Sequence, residues 1–410
     1  MQDVRNDAQL NHFEEMRIMA ATAVEPVSTY KKPARMVSVD ALRGLTLAFM
    51  ILVNNNGDWV RAYWALKHAE WNGFTPTDLV FPTFLFLVGV STVFSIDSRL
   101  ARGEAKKSLF LHILWRTFLL LLLGLFINAF PQFHFATMRF YGVLPRIAVC
   151  YGIVATLYLL SPEWRSKAAI FVAALAGYWI LMRFVPVPGF GIPEHGHPIN
   201  DPDGNLTAWI DRQIFPPARL WETTRDPEGL LSTIPAVGTA LMGVLTGCWL
   251  RTQRTLVAKA RGIAIAGTAA VLAGGLWNFW FPVNKKLWTS SFVLFAGGWS
   301  LLLLALSIWL VDILADRGDS RASKPKAWVV PLLVFGSNAI TAYILSELLP
   351  GALSFLHVKP RVDIALWYYD WLLRVIHDVP FASLVFSFTF VVVCWLPMAV
   401  LYRRRIFFKI

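Results

Sequence analysis

The chain is poor in charge: 16% of its 410 residues are Asp, Glu, Lys or Arg, where a soluble chain carries about a quarter. It is also poor in cysteine. Cys150, Cys248 and Cys394 all sit inside apolar runs, which excludes a disulfide scaffold and any CxxC metal or redox motif. No short-period repeat, low-complexity tract or second domain stands out, and a chain that is 56% hydrophobic is not intrinsically disordered. What it has instead is long apolar runs, with 30 Phe and 18 Trp, and aromatic residues gather where a bilayer meets water. These features predict an all-α polytopic membrane protein.

An α-helix needs about 20 apolar residues to cross roughly 30 Å of hydrocarbon. Such runs fall at 41–59, 78–96, 108–128, 141–160, 167–184, 233–250, 260–281, 288–314, 328–348 and 381–402, which predicts about ten crossings. Residues 363–378 are aromatic but carry Asp363, Asp370, Arg374 and Asp378; an interfacial or re-entrant helix suits them better than a short eleventh crossing. Residues 1–38 read as a polar arm without the apolar core and cleavage site of a signal peptide, ahead of a transmembrane domain at 39–410.

Basic residues choose the orientation. Lys31, Lys32 and Arg35 precede the first span, and alternate loops hold Arg99, Arg102, Lys106 and Lys107, then Arg165 and Lys167, then Arg251, Arg254, Lys259 and Arg261, then Arg317, Arg321, Lys324 and Lys326. The tail ends in Arg403, Arg404 and Arg405. Ten spans put all these clusters on the side of both termini, which is therefore expected to be the cytoplasm. The net charge of +12 is then explained by topology, and nucleic acid is set aside as a partner. The other side receives 60–77, 129–140, a long loop at 185–232, 282–287 and 349–380. A loop as long as 185–232 is more often functional or folded than idle.

Polar groups inside spans are costly and each needs a partner, a water-filled space or a task. They concentrate in the first two spans. SVDALRGLTLAFMILVNNNGDW places Asp40 and Arg43 at the inner entrance and Asn54, Asn55 and Asn56 at the outer end; KHAEWNGFTPTDLVFPTF then supplies His68 and Asp78. A histidine alone at a membrane boundary is usually satisfied by a carbonyl, and asparagines there usually cap helix ends or make turns. Their coincidence suggests chemistry: His68 as a base whose tautomer Asp78 fixes, and Asn54 or Asn55 as an amide donor to an oxyanion, a contribution of roughly 3 kcal/mol. Arg116, Arg146, Lys285 and Asn338 are further intramembrane or boundary candidates. Cations there can hold phosphate or pair with Asp40, Asp312 or Glu347. His195 and His197 lack a third ligand at suitable spacing, so no metal is expected. His112, His134, His357 and His377 read as interfacial.

SVDALRGLTLAFMILVNN, KHAEWNGFTPTDLVFPTFLFLVG, YGVLPRIAVCYG, DPEGLLSTIPAVGTALMGVLTG, PVNKKLWTSSFVLFAGG and FGSNAITAY, in that order from about residue 36 to the C-terminus, resemble the heparan-α-glucosaminide N-acetyltransferase family and its bacterial relatives. The resemblance implies an integral-membrane enzyme that takes acetyl from cytosolic acetyl-CoA and acetylates the amino group of a terminal glucosamine across the membrane. It implies that His68 is the catalytic histidine and Asn54 its partner, with the choice among Asn54, Asn55 and Asn56 left open. It also implies a homodimer, and a bacterial inner membrane with the acceptor site facing the periplasm. Arg116, Arg146, Lys285 and Asn338 are then expected to contact the donor. On the acceptor side, Trp71, Asn72, Asp226 and Glu228 are expected to offer an aromatic face and polar edges to the sugar.

Two other functions compete. Some bacterial relatives carry the label of an N-acetylglucosamine-related transporter, although transporters favour inverted repeats and mid-membrane sites, and here the polar cluster lies toward one face. An O-acetyltransferase acting on an envelope polysaccharide is the other alternative. Within the enzyme reading, direct transfer and an acetyl-histidine intermediate both fit the sequence.

Overall fold

The apolar runs fold as helices because a backbone in hydrocarbon finds no water for its N–H and C=O groups, and a helix pairs them within one segment. The computed structural model describes residues 36–408 apart from 196, 315–325 and 361. Most of the arm expected at 1–38, with Lys31, Lys32 and Arg35, lies outside the described residues, as do Arg317, Arg321 and Lys324. In chain order the helices are α1 (Val37–Asn54), α2 (Val80–Leu100, entered through a 3₁₀ turn at Pro76–Leu79), α3 (Lys106–Ala129), α4 (Val143–Leu160), α5 (Trp164–Phe184), α6 (Leu206–Ile214) and α7 (Thr233–Leu250). There follow α8 (Leu256–Trp277), α9 (Ser290–Ser307, continuing as a π-helical stretch Ile308–Ile313), α10 (Val330–Ser337), α11 (Ala339–Leu353), α12 (Ile364–Ile376) and α13 (Val379–Arg403). A small antiparallel hairpin, β1 (His357–Lys359) with β2 (Val362–Asp363), precedes α12.

Among the described residues nine helices are long and apolar enough to cross a bilayer, and α10 with α11 forms a bent tenth. The protein is an all-α integral membrane protein. α2 and α7 lie at its centre, with 67% and 72% of their span residues buried against 17% in each of α3 and α8. Lipid supplies no hydrophobic drive for helices to associate, so contact depends on close packing of small residues. A Cβ at Gly89 of α2 would lie 2.0 Å from Ala240 O, and one at Gly243 of α7 would lie 2.0 Å from Phe86 O. The two backbones touch there.

The run at 328–348, expected as one straight span, is broken. α10 and α11 meet at Asn338 with a bend of 82°. The Asn338 amide is engaged by the C-terminal tail, Nδ2 donating to Ile406 O at 3.1 Å and Oδ1 accepting from Phe408 N at 3.1 Å. α10 rests on the first half of α1, where Gly44 and Gly336 leave no room for a Cβ. From Asn338 the 15 residues of α11 cover about 22 Å and bring Glu347 to Asn54 at the far end of α1. The chain thus still passes from one face to the other.

The stretch 363–378 holds the amphipathic helix α12 (Ile364–Ile376), with the N-cap Asp363 Oδ1 accepting from Leu366 N. Its 13 residues are too few to cross; Tyr369 and Leu372 are buried while Trp367, Trp371 and Val375 are exposed.

The crossings gather 55–75, 130–142, 185–232 and 278–289 on one face. Gly73 N donates to Val283 O (2.9 Å) and Trp71 Nε1 to Asn200 O (2.8 Å), tying three of these segments together. At the opposite face Asp97 pairs with Arg251 (3.0 Å) and accepts from Tyr158 Oη (2.9 Å).

Candidate active site

His68 sits in the loop between α1 and α2, ten residues before Asp78. Pro76 opens a 3₁₀ turn there, and Thr75 and Asp78 cap it reciprocally. This local geometry fixes the carboxylate. Asp78 Oδ2 accepts from Ala69 N (3.1 Å) and Thr75 N (3.0 Å), while the Thr75 hydroxyl donates to Lys67 O (2.7 Å), which leaves Asp78 Oδ1 for His68 Nδ1 at 2.7 Å. An ionised Asp78 has only acceptors, so Nδ1 carries the proton and Nε2 keeps its lone pair. The His68 side chain is 39% exposed and Asp78 only 1%, so the ring stands open above a buried anchor. Desolvation by the surrounding protein and the Lys285 charge push the imidazole below its ordinary pKa, while Asp78 pulls the other way. The ring is therefore kept as a neutral base near neutral pH.

Lys285 comes from the α8–α9 turn, 217 residues away in sequence. Its Nζ lies 3.1 Å from both ring nitrogens of His68 and 4.0 Å from Asp78 Oδ1. Burial lowers its ammonium pKa against the pull of Asp78 and Glu228. Beneath this group runs a lattice of amides. Asn72 Oδ1 accepts from Asn200 Nδ2 (2.5 Å) and Asn284 Nδ2 (3.2 Å), while Asn284 Oδ1 accepts from Leu287 N (2.9 Å). The Trp71 ring packs under the Arg225 guanidinium (4.9 Å) and the Lys286 ammonium (5.9 Å).

Asp226 and Glu228 both bind Arg139, a residue to which the sequence reading gave no role. Arg139 Nε and Nη2 clamp Asp226 at 2.7 and 2.5 Å, and Nη2 also donates to Glu228. Two buried acids so near one another demand a cation, and that demand was the available signal. The cluster fastens the 130–142 loop to the 185–232 segment. Nearby, burial pushes the Asp211 carboxyl up to about 6.

The three asparagines separate. Asn55 Nδ2 returns to Ile51 O (2.9 Å), and Asn56 Nδ2 bridges Val53 O (3.2 Å) and Leu66 O (3.1 Å). Both are buried. Asn54 is exposed and donates to Glu347 Oε1 at 3.4 Å.

A cavity of about 700 Å³ lies on the other side of this layer. Its wall follows α2 from Arg99 back to Phe81, 18 residues or about 27 Å, close to the hydrocarbon thickness. At one end stand Arg99, Arg102, Glu104, His112 and Arg116; at the other stand Phe81, Met50, Val143 and Tyr343. Phe81 is three residues from Asp78, Met50 one turn from Asn54, and Tyr343 one turn from Glu347. The basic end suits phosphates and the apolar shaft suits a slender chain. Arg116 lies 4.7 Å over the Tyr151 ring, and its buried Nε has no hydrogen-bond partner among the described residues. Arg43 lines the cavity too, held by Asp40 (2.7 Å) and donating to Ser91 Oγ (2.7 Å).

Of the four residues expected at the donor, Arg116 is in this wall. Asn338 stands between two wall residues, Ser337 and Ala339, and Lys285 stands at His68. Arg146 is buried in α4, donating to Gly229 O (2.9 Å) and Ser232 Oγ (2.5 Å) with its guanidinium 5.3 Å from the Trp288 ring centre. His112, read as interfacial, and Arg99 and Arg102, read as orientation signals, join the basic end; all of it comes from the consecutive stretch 99–116, the end of α2, the turn after it and the first half of α3.

A family model described as heparan-alpha-glucosaminide N-acetyltransferase, catalytic, matches residues 35–281. The human heparan-alpha-glucosaminide N-acetyltransferase is 31% identical over 79% of this chain and 54% of its own length. The mouse protein of the same name is 28% identical over 81% of this chain and 56% of its own. The chain thus spans about half the length of the curated relatives it matches.

Proposed function

The chain belongs to the heparan-α-glucosaminide N-acetyltransferase family, and from that premise we propose that it is a membrane acetyltransferase moving acetyl from acetyl-CoA to the amino group of a terminal glucosamine or related amino sugar. One observation carries the reading: the His68–Asp78 pair lies within one turn of Phe81, which lines one end of a membrane-deep cavity whose other end is basic. The donor enters at the basic end, where Arg99, Arg102 and Arg116 meet its phosphates, and its pantetheine arm follows the shaft. The side rich in Lys and Arg is the cytoplasm, so the acceptor arrives from outside, at the periplasmic face of a bacterial inner membrane.

In the chemical step the acceptor amine attacks the thioester carbonyl while His68 Nε2 removes its proton. Asp78 holds the tautomer and steadies the imidazolium. Collapse of the tetrahedral intermediate expels the CoA thiolate, and the proton on His68 passes to the sulfur. On this reading Asn54, whose amide is the exposed one of the three, donates toward the oxyanion. Trp71 and Asn72 border the acceptor side, while Asp226 and Glu228 support it through Arg139. The test is acetyl transfer to glucosamine by the purified protein in lipid vesicles supplied with acetyl-CoA. His68→Ala is expected to lower the rate by at least about 10²-fold; a rate within a few-fold of the parent removes His68 from the chemistry. Sugar uptake without acetyl-CoA would favour transport instead.

A further inference from the structure

Lys285 is placed in a way that neither donor binding nor packing requires. It is absent from the cavity wall, and the hydrogen-bond and ion-pair contacts of its Nζ among the described residues are all with His68 and Asp78. A cation enclosed to 18% exposure is held there at a cost in solvation. Its angle is informative. A point in the imidazole plane at 3.1 Å from both Nδ1 and Nε2 falls well inside van der Waals contact with Cε1, so Nζ lies over the ring face. It blocks neither nitrogen's lone-pair direction. Nδ1–H remains on Asp78, and the in-plane side of Nε2 remains open.

We infer that Lys285 is a third member of the reacting centre: its ammonium sits over the His68 ring, leaves Nε2 free for the acceptor amine, and donates to the thioester oxygen as that oxygen becomes an oxyanion. The inference rests on the acetyltransferase reading above. In the step itself the amine nitrogen–carbon bond forms, the carbonyl π pair moves to oxygen beside the ammonium, and the amine's proton goes to Nε2. The carbon–sulfur bond then breaks, the thiolate leaves with the proton from His68, and Lys285 keeps its own protons throughout. A fixed cation where negative charge develops is worth more than one in water, because no solvent has to reorganise. The same charge discourages the imidazolium before the acceptor arrives. The other charged groups facing the pair are Asp78 at the entry to α2, Glu228 before α7, Lys286 beside Lys285, and Arg146 in α4.

The experiment compares the parent, Lys285→Met and Lys285→Arg in lipid vesicles, reading kcat, KM for acetyl-CoA and the pH profile of kcat/KM. A second readout needs no turnover: the pH dependence of His68 carbethoxylation by diethyl pyrocarbonate, followed by mass spectrometry. Lys285→Met is expected to lower kcat by about 10²-fold with KM for acetyl-CoA within about threefold, and Lys285→Arg to recover part of the loss. Removing the cation raises the His68 pKa, so the acid limb of kcat/KM and the modification midpoint both move to higher pH in Lys285→Met. A kcat near the parent's, a raised KM for acetyl-CoA with kcat unchanged, or a slow variant whose limb and midpoint stay in place would each overturn the inference. If the parent transfers no acetyl at all, the proposed function falls, and the modification midpoint alone then decides whether Lys285 governs the ring.

Discussion

Asp78→Asn changes almost nothing in shape and is expected to invert the histidine. Two backbone donors, Ala69 N and Thr75 N, converge on Oδ2 at 3.1 and 3.0 Å, so the new amide must present its oxygen to them. Its NH₂ then faces His68 Nδ1, which has to become an acceptor, and the ring proton moves to Nε2. That tautomer cannot serve as a base. Flipping the amide to restore the working tautomer sacrifices two backbone hydrogen bonds at about 1 kcal/mol each, so roughly 2 kcal/mol, or about 30-fold in rate. Losing the carboxylate's support for the imidazolium adds to this, and a fall of about 10³-fold in kcat/KM is expected. Because Asp78 raises the His68 pKa, the residual activity should titrate at lower pH than the parent's, opposite in sign to Lys285→Met. The assay is acetyl-CoA-dependent acetylation of glucosamine against pH, with CoA binding as the check on folding. A variant with normal CoA binding that stays within tenfold of the parent would refute the argument that Asp78 sets the tautomer.

The remaining predictions follow from the cavity and the ion cluster. Val88→Trp, midway along the shaft, is expected to raise KM for acetyl-CoA about tenfold or more while KM for the sugar stays within about twofold; equal effects on both would place the donor elsewhere. Arg139→Met leaves Asp226 and Glu228 buried without their cation, at a cost of about 3–5 kcal/mol, and should lower the melting temperature in detergent and open 185–232 to proteolysis. Unchanged melting and cleavage would mean that another group holds these acids.

The spans were readable because lipid imposes a length and a composition on any crossing helix, and the ten apolar runs obey both. The break at Asn338 was not. A polar residue inside an apolar run looks the same whether it marks a ligand contact or a bend, and the partners that decide it, Ile406 and Phe408, lie about seventy residues downstream. His68 and Asp78 were readable as a pair because a short loop joins them. Lys285 at His68 and Arg139 between Asp226 and Glu228 were not, since each contact closes over 87 residues or more and leaves no periodic trace. The asparagines show the same limit at shorter range. Asn54, Asn55 and Asn56 are equivalent as letters, but α1 ends at Asn54, and the non-helical backbone after it turns Asn55 and Asn56 inward to backbone carbonyls while Asn54 faces out.

On the proposed reading, the position of the site answers the choice between enzyme and transporter in physical terms. A transporter must offer its substrate a polar site near mid-membrane and then alternate which side that site faces. Here the polar constellation of His68, Asp78 and Lys285 lies at one face, and what occupies the membrane's depth is a wall of Phe81, Phe84, Leu87, Val88 and Ile147 with hydroxyls but few charges. A sugar would find almost no partners along it, whereas a thioester on a slender arm needs none. The donor's phosphates have partners at the basic end and would lose their solvation by going further, so they stay outside while the acetyl group reaches the far face. Only two carbons then have to cross to the far face.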